Sequence, residues 1–343
     1  MKKIRNRARF QRWQAAKRRR CLLRQRVSMY KRRLNNAERA GVQLPKSSRR
    51  KDKLPVVTIR PPAVFSIIEN PEQTLAFLEE LGQTLRTRHV FVDISGVTGL
   101  TPEAVAAFVA IFMSSKLHNM RIAGNHPKSE VLADKLRAFG FYDHVRSSKS
   151  TPFGTGNIRI TNYRSLVRFK REVNTEIAAE MVDFARSTFP TGLHKSVYTM
   201  FMEATTNTVE HASNSNLPTL WVAGAYHDAD RKVISFTVID SGVGILNSVK
   251  FNRDLRSLWG RVSWDSGEKL RQLCLGKMRS RMQEVHRGRG LPGAYEAAQA
   301  ARIADLVIIT NRGFAHVKLG KYLETKQAFN GTIIYWEVGP STP

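Results

Sequence analysis

Acidic residues are scarce. Against 56 Lys and Arg the 343-residue chain sets only 28 Asp and Glu, a formal net charge of +28. Cysteine is scarcer still. Cys21 and Cys274 are too few for a disulfide framework or a cysteine zinc site, and they suit a reducing compartment. No apolar run approaches the roughly 18 residues of a membrane span. Met1-Lys2-Lys3-Ile4-Arg5 has no apolar stretch behind it, so no secretory signal is expected and the expected location is the cytoplasm. Apolar residues are not lacking. At 42% they support real cores, and the length suits two or three domains.

The positive charge is uneven. Residues 1–53 hold 21 Lys and Arg against Glu38 and Asp52, a net of +19. Residues 245–287 hold ten against Asp254, Asp265, Glu268 and Glu284, a net of +6. Everything else is close to balance. In the first stretch Trp13, Leu22, Leu23, Val27, Met29, Tyr30 and Leu34 are scattered among arginines, with no Pro or Gly between Met1 and Ala40. Such an arm is helical or disordered, with too few apolar residues for its own core. Its lysines and arginines suit nucleic acid, where each neutralised phosphate releases a counterion. Anionic lipid, an acidic protein partner and a merely solvated tail remain alternatives.

Residues 54–147 alternate strands and helices, the pattern of a small α/β layer domain. Val56–Ile59 reads as a strand ended by Pro61-Pro62. Residues 71–86 set Leu75, Leu78, Leu81 and Leu85 on one helical face behind Pro71. A buried strand follows at His89–Ser95. Thr101-Pro102-Glu103 then opens a helix with Val105, Phe108, Val109 and Phe112 inward. Met120–Gly124 reads as a third strand, and Ser129–Phe139 as a helix ended by Gly140. The stretches VFVDISGVTGLTPEAVAAFVAIF and MRIAGNHPKSEVLADKLRAFGFYDHV resemble a STAS domain, the fold of anti-sigma-factor antagonists. The family's Asp-Ser-Ser-Gly turn, which carries the phosphoacceptor serine, falls here on Thr101, Pro102, Glu103 and Ala104. The serine is absent, so the resemblance implies a docking or scaffolding module. Glu103 either mimics a permanent negative charge or is a solvated first-turn glutamate favoured by the helix dipole.

Residues 148–160 read as a linker, and 161–343 as a second domain with three motifs in order. On an expected helix, KSVYTMFMEATTNTVEHA, Val197, Phe201, Ala204 and Thr208 form a packing face. Glu203 and Asn207 stand four apart on it, a carboxylate that can act as a base beside an oxygen ligand for Mg²⁺. The strand KVISFTVID runs into Asp240-Ser241-Gly242-Val243-Gly244, where glycine lets backbone approach a flat ligand and the carboxylate accepts from a ring amine. RGRGLPG feeds a helix N-terminus, an arrangement suited to phosphate. Each motif alone has a bland reading: a wet helix face, a common turn, a lone glycine pair.

Taken in order, the three resemble the GHKL ATPases: histidine kinases, gyrase B subunits and anti-sigma serine kinases. Glu203 and Asn207 match the first motif, Asp240, Gly242 and Gly244 the second, and Gly288, Gly290 and Leu291 the third. Gly331-Thr332 matches the late Gly-Thr. The resemblance implies a Bergerat α/β sandwich, with helices on one face of a mixed, largely antiparallel sheet. It implies ATP and Mg²⁺ as cofactors. Asp240 would hold the adenine amine with support from Thr332, Asn207 would ligate Mg²⁺, Glu203 would activate water or a hydroxyl, and Gly288 and Gly290 would follow the phosphates. His211 follows as an accessory or structural residue. Leu246–Arg287 would form a long basic lid, with a helix from about Gly267 to Glu284 carrying Leu270, Leu273, Leu275 and Met278. Such a lid would meet the triphosphate or an acidic partner, or stay a charged exposed loop. Asp305–Thr310, Ala315–Leu319 and Thr332–Val338 read as three closing strands, with a turn at Asn311-Arg312-Gly313.

The leading expectation is a Mg-ATP-binding switch or ATPase, coupled to nucleic acid through residues 1–53 or to a regulatory protein through the STAS-like segment. The alternatives are an anti-sigma-type serine/threonine kinase and a non-enzymatic nucleic-acid-associated effector that senses ATP. No segment sustains the heptads that would set an oligomeric state.

Overall fold

The computed structural model describes residues 56–115, 121–143, 161–164, 175–189, 194–211, 220–248, 264–277 and 290–339. The arm expected at 1–53 and the linker at 148–160 lie outside the described residues. The chain divides after Lys53, and everything described belongs to the unit Leu54–Pro343.

In that unit β1 (Val56–Ile59), β3 (His89–Val92) and β5 (Ile122–Gly124) form a parallel sheet in the order β1-β3-β5. The short strands β2 (Val64–Phe65) and β4 (Gly99–Leu100) pair beside it. Parallel neighbours need crossovers, and helices α1 (Pro71–Thr84) and α2 (Pro102–Ser115) supply them. Helix α1 forms where its leucine stripe says it should, with Pro71 in the first turn and Leu75, Leu78, Leu81 and Leu85 all buried. Helix α3 (Glu130–Ala138) stops at Gly140, whose φ of +68° suits glycine after a helix end.

Helix α2 departs from a simple amphipathic pattern. Glu103 through Ala110 are buried without a break. A helix covered all round is packed between layers rather than laid on a surface. Ala104, Ala106, Ala107 and Ala110 keep it thin enough for close approach on several sides.

The second sheet is antiparallel throughout, in the order β6-β7-β8-β10-β9. Its strands are β6 (Thr161–Arg164), β7 (Leu220–Asp228), β8 (Val233–Asp240), β9 (Asp305–His316) and β10 (Lys321–Val338). Strand alternation separates its two faces. Ile234, Phe236 and Val238 of β8, with Ile334 and Trp336 of β10, join one core. Into that core pack α4 (Thr175–Thr188), α5 (His194–His211), α7 (Ser266–Cys274) and α8 (Gly290–Gln299). Phe236 and Trp336 stack at 5.3 Å within it. Val222, Ile239, Ile333 and Tyr335 face the other way and join the core of α1 and α2. Helix α1 lies against β10, and α2 against β7 and β8. The chain is therefore a mixed α/β protein whose antiparallel sheet carries helices on both faces, where helices on one face were expected.

The three closing strands are corrected to two. Strand β9 runs through Asn311-Arg312-Gly313 without reversing. Asn311 takes φ +53°, and the ladder absorbs the kink through register shifts opposite it in β10. Arg312 and Thr325 tie the strands there, Arg312 Nε donating to the Thr325 carbonyl at 3.0 Å and Thr325 Oγ1 to the Arg312 carbonyl at 3.1 Å. The reversal comes later, at Gly320 with φ +60°.

Candidate functional site

Asp240 ends β8 on the same side as Ile234, Phe236 and Val238, so it points toward the layer of α4, α5, α7 and α8. It is 5% exposed, and its carboxylate accepts the Gly242 N–H at 2.8 Å. Its cross-strand neighbours are Trp221 on β7 and Thr332 on β10. Thr332 is equally buried, and its hydroxyl lies 3.4 Å from that of Thr310 on β9. Three polar side chains on three strands thus converge at one end of one face.

Glycine is required beside them. Gly331 has φ +138°, and a Cβ there would lie 1.9 Å from the Asp240 carbonyl oxygen. Gly244 has φ +79°, and a Cβ there would meet the Asn311 side chain at 2.4 Å. Side chains at either position would push the strand end and its loop apart. Beyond Gly244 the short helix α6 (Ile245–Ser248) begins, its Ile245 N–H donating to Thr310 Oγ1 at 2.7 Å.

Helix α5 carries Glu203 and Asn207 across this face. Val197, Met200, Phe201 and Ala204 are its buried stripe, and the Phe201 ring meets that of Trp221 edge-on at 6.2 Å. Trp221 is the register partner of Asp240, so that ring contact places the middle of α5 beside Asp240's strand pair. Glu203 is half-buried. The side chains of Asn207, Thr208 and His211 lie outside the described residues, as does Gly288. Gly290 and Leu291 open α8, with Leu291 buried, and α8 packs on α5 and α7. Asp240, Gly242, Gly244 and Thr332 are therefore adjacent, and Glu203, Gly290 and Leu291 sit on helices of the same layer. Among the described residues no group of three or more His, Cys, Asp or Glu is placed to hold a metal ion. Cys274 offers no nucleophile, since it is buried and its thiol is pushed up to about 12 by that burial.

Part of the expected lid is fixed structure. The helix placed at about Gly267–Glu284 is corrected to α7, Ser266–Cys274. Asp265 caps its start by accepting the Glu268 N–H at 2.8 Å. Gly276, at φ +68°, closes its end, with Gly276 N–H bonded to the Leu273 carbonyl and Lys277 N–H to the Gln272 carbonyl. Leu270 and Leu273 are buried, and a Cβ on Gly267 would lie 2.5 Å from the Leu323 backbone. The rest of Leu246–Arg287, apart from α6 and Trp264–Lys277, lies outside the described residues.

Glu103 is neither a solvated glutamate nor a displayed charge. It is 1% exposed, accepts from Ser66 Oγ at 3.3 Å and from the Thr101 hydroxyl, and burial holds its pKa above the usual carboxylate range. The segment matched to the STAS phosphoacceptor turn is thus covered at Glu103 and Ala104.

Two neighbours of the site were missed in the sequence. Thr310 and Asn311 read in the sequence as a strand end and a turn, yet they hold the loop after Asp240. The only signal was a polar pair closing an otherwise apolar run.

Comparison with protein-family models finds no match to the chain, and comparison with curated proteins finds none either. Among the described residues no helix is long and apolar enough to cross a membrane.

Proposed function

We propose that the chain is a Mg-ATP-binding switch or ATPase of the GHKL type, with a STAS-like first segment packed on the far face of its nucleotide-binding sheet. One observation carries the reading: Asp240, Thr332 and Thr310 converge at the end of the sheet face that α5, with Glu203 and Asn207, covers. A buried carboxylate with a threonine hydroxyl on the neighbouring strand, at a strand end followed by glycines, suits the amine edge of adenine. In this reading Asp240 accepts from that amine and Thr332 supports it. Gly242 and Gly244 bring the loop backbone up to the base, the space beside Gly244 being taken by the Asn311 amide, while Gly288, Gly290 and Leu291 follow the phosphates. Asn207 supplies an oxygen to Mg²⁺, and Glu203 takes the proton of a water or hydroxyl nucleophile. Mg-ATP would supply the γ-phosphoryl group.

Calorimetric titration with Mg-ATP tests the assignment. Asp240→Asn should lose binding, by about a hundredfold or more for a buried charged hydrogen bond at the recognition edge. Glu203→Ala should keep binding and lose phosphate release. Equal affinity in wild type and Asp240→Asn sinks the reading.

The kinase alternative predicts label passing from γ-labelled ATP to a protein hydroxyl. The burial of Glu103 and Ala104 weighs against the first segment being that acceptor. The nucleic-acid role of residues 1–53 rests on their net charge of +19. It predicts affinity that falls steeply with salt and is lost when those residues are deleted.

A further inference from the structure

We propose that Asn311 is a positioning residue for the base end of this site, an inference that rests on the nucleotide reading above. The loop after Asp240 does not fold back on its own strand. It crosses the end of β10 and is tied to β9, the strand beyond. Three bonds from two consecutive residues make the tie. Thr310 Oγ1 accepts the Ile245 N–H at 2.7 Å, Asn311 Nδ2 donates to the Val243 carbonyl at 2.8 Å, and Asn311 Oδ1 accepts the Asn247 N–H at 3.3 Å.

The fit is steric as well as polar. Asn311 takes φ +53°, a left-handed conformation that asparagine tolerates better than most residues. That kink turns its amide into the space beside Gly244, where a Cβ would lie 2.4 Å from Oδ1 and 2.5 Å from Nδ2. Gly244 and Asn311 are complementary halves of one contact. The passage over β10 falls at Gly331, which has no side chain to obstruct it. Asn311 touches no nucleotide in this account. It sets where Gly242–Gly244 stand relative to Asp240 and Thr332, and so how well the flat base is received.

Asn311→Gly in the full chain separates backbone from side chain, because glycine keeps the left-handed conformation without the amide. Amide hydrogen exchange across Val243–Ser248 should quicken by about tenfold, as expected for two neutral hydrogen bonds lost. Affinities for adenosine and for Mg-ATP should fall together by a similar factor, since the clamp acts at the base and not at the phosphates. Should Asn311→Gly fail to fold, Asn311→Asp, of nearly the same shape, keeps the acceptor for the Asn247 N–H and sets a charged oxygen against the Val243 carbonyl in place of the donor, and the same quantities are read. Unchanged exchange overturns the proposal. So does faster exchange with unchanged adenosine affinity, or a loss confined to Mg-ATP. If wild type binds neither adenosine nor Mg-ATP, the nucleotide reading fails and the positioning role with it. The exchange result would still decide whether Asn311 clamps the loop.

Discussion

The two faces of the antiparallel sheet each bury a carboxylate and treat it differently. On the face toward α1 and α2, Glu337 is 4% exposed, and Arg231 grips it with two bonds of 2.8 and 2.7 Å. The Tyr335 hydroxyl donates to the same carboxylate, and burial drives the Tyr335 pKa upward. On the opposite face Asp240 stands at a strand end among hydroxyls and glycines, beside a loop held from a distance. Protein side chains neutralise the first carboxylate, a structural solution. The second accepts the Gly242 N–H from the loop after its own strand and has Trp221 and Thr332 as its cross-strand neighbours. Burial alone therefore does not mark a site; in the proposed reading Asp240 is set apart by its place at a strand end followed by glycines.

Three measurements can break or sharpen that contrast. The largest effect should come from Gly331→Ala, which forces a Cβ against the Asp240 carbonyl at a φ that L-residues avoid. A loss of about 3 kcal/mol or more is expected in denaturant unfolding, and a near-neutral result would mean that the strand end is looser than described. Arg231→Ala on the other face should cost about 1–2 kcal/mol, discounted because the arginine side chain is 60% exposed. It should leave adenosine affinity unchanged, and a change there would show that the faces are coupled. The smallest effect is a slope. Glu103 has its folded pKa raised, so the native state holds a proton that the unfolded chain releases near the ordinary value. That contribution is complete below the unfolded pKa and is lost as pH rises through the folded one. Glu103→Gln should therefore flatten the fall in stability above about pH 4.5. An identical slope in the variant would remove Glu103 from the account.

Much of this arrangement is legible in the residues. The leucines of α1 repeat at helical spacing because one side of α1 meets the core, and Asp240 follows a strand whose alternation predicts its face. The remainder depends on contacts between distant segments. Periodicity reports one apolar face, so it cannot announce that α2 is covered on every side; the alanines that permit this read as good helix formers. Asn311-Arg312-Gly313 has turn composition, and pairing with Glu324, Thr325 and Phe329 of β10 keeps it in a strand. For α7, Leu275 and Met278 extend the apolar pattern past the point where Gly276 turns the chain out of the helix. Glu103 followed dipole logic at a helix start, but the sheet packed over it set its environment.

The covering of α1 has a consequence in time. Its leucines leave the ribosome early, yet the β10 residues that share their core, Ile333 and Tyr335, come some 250 residues later. At ordinary elongation rates of about 5–20 residues per second, that interval is roughly ten to fifty seconds. Throughout it the small parallel sheet must hold α1 with one side open, so the newborn chain passes through a long interval in which a half-finished core is offered to chaperones before the final strand closes it.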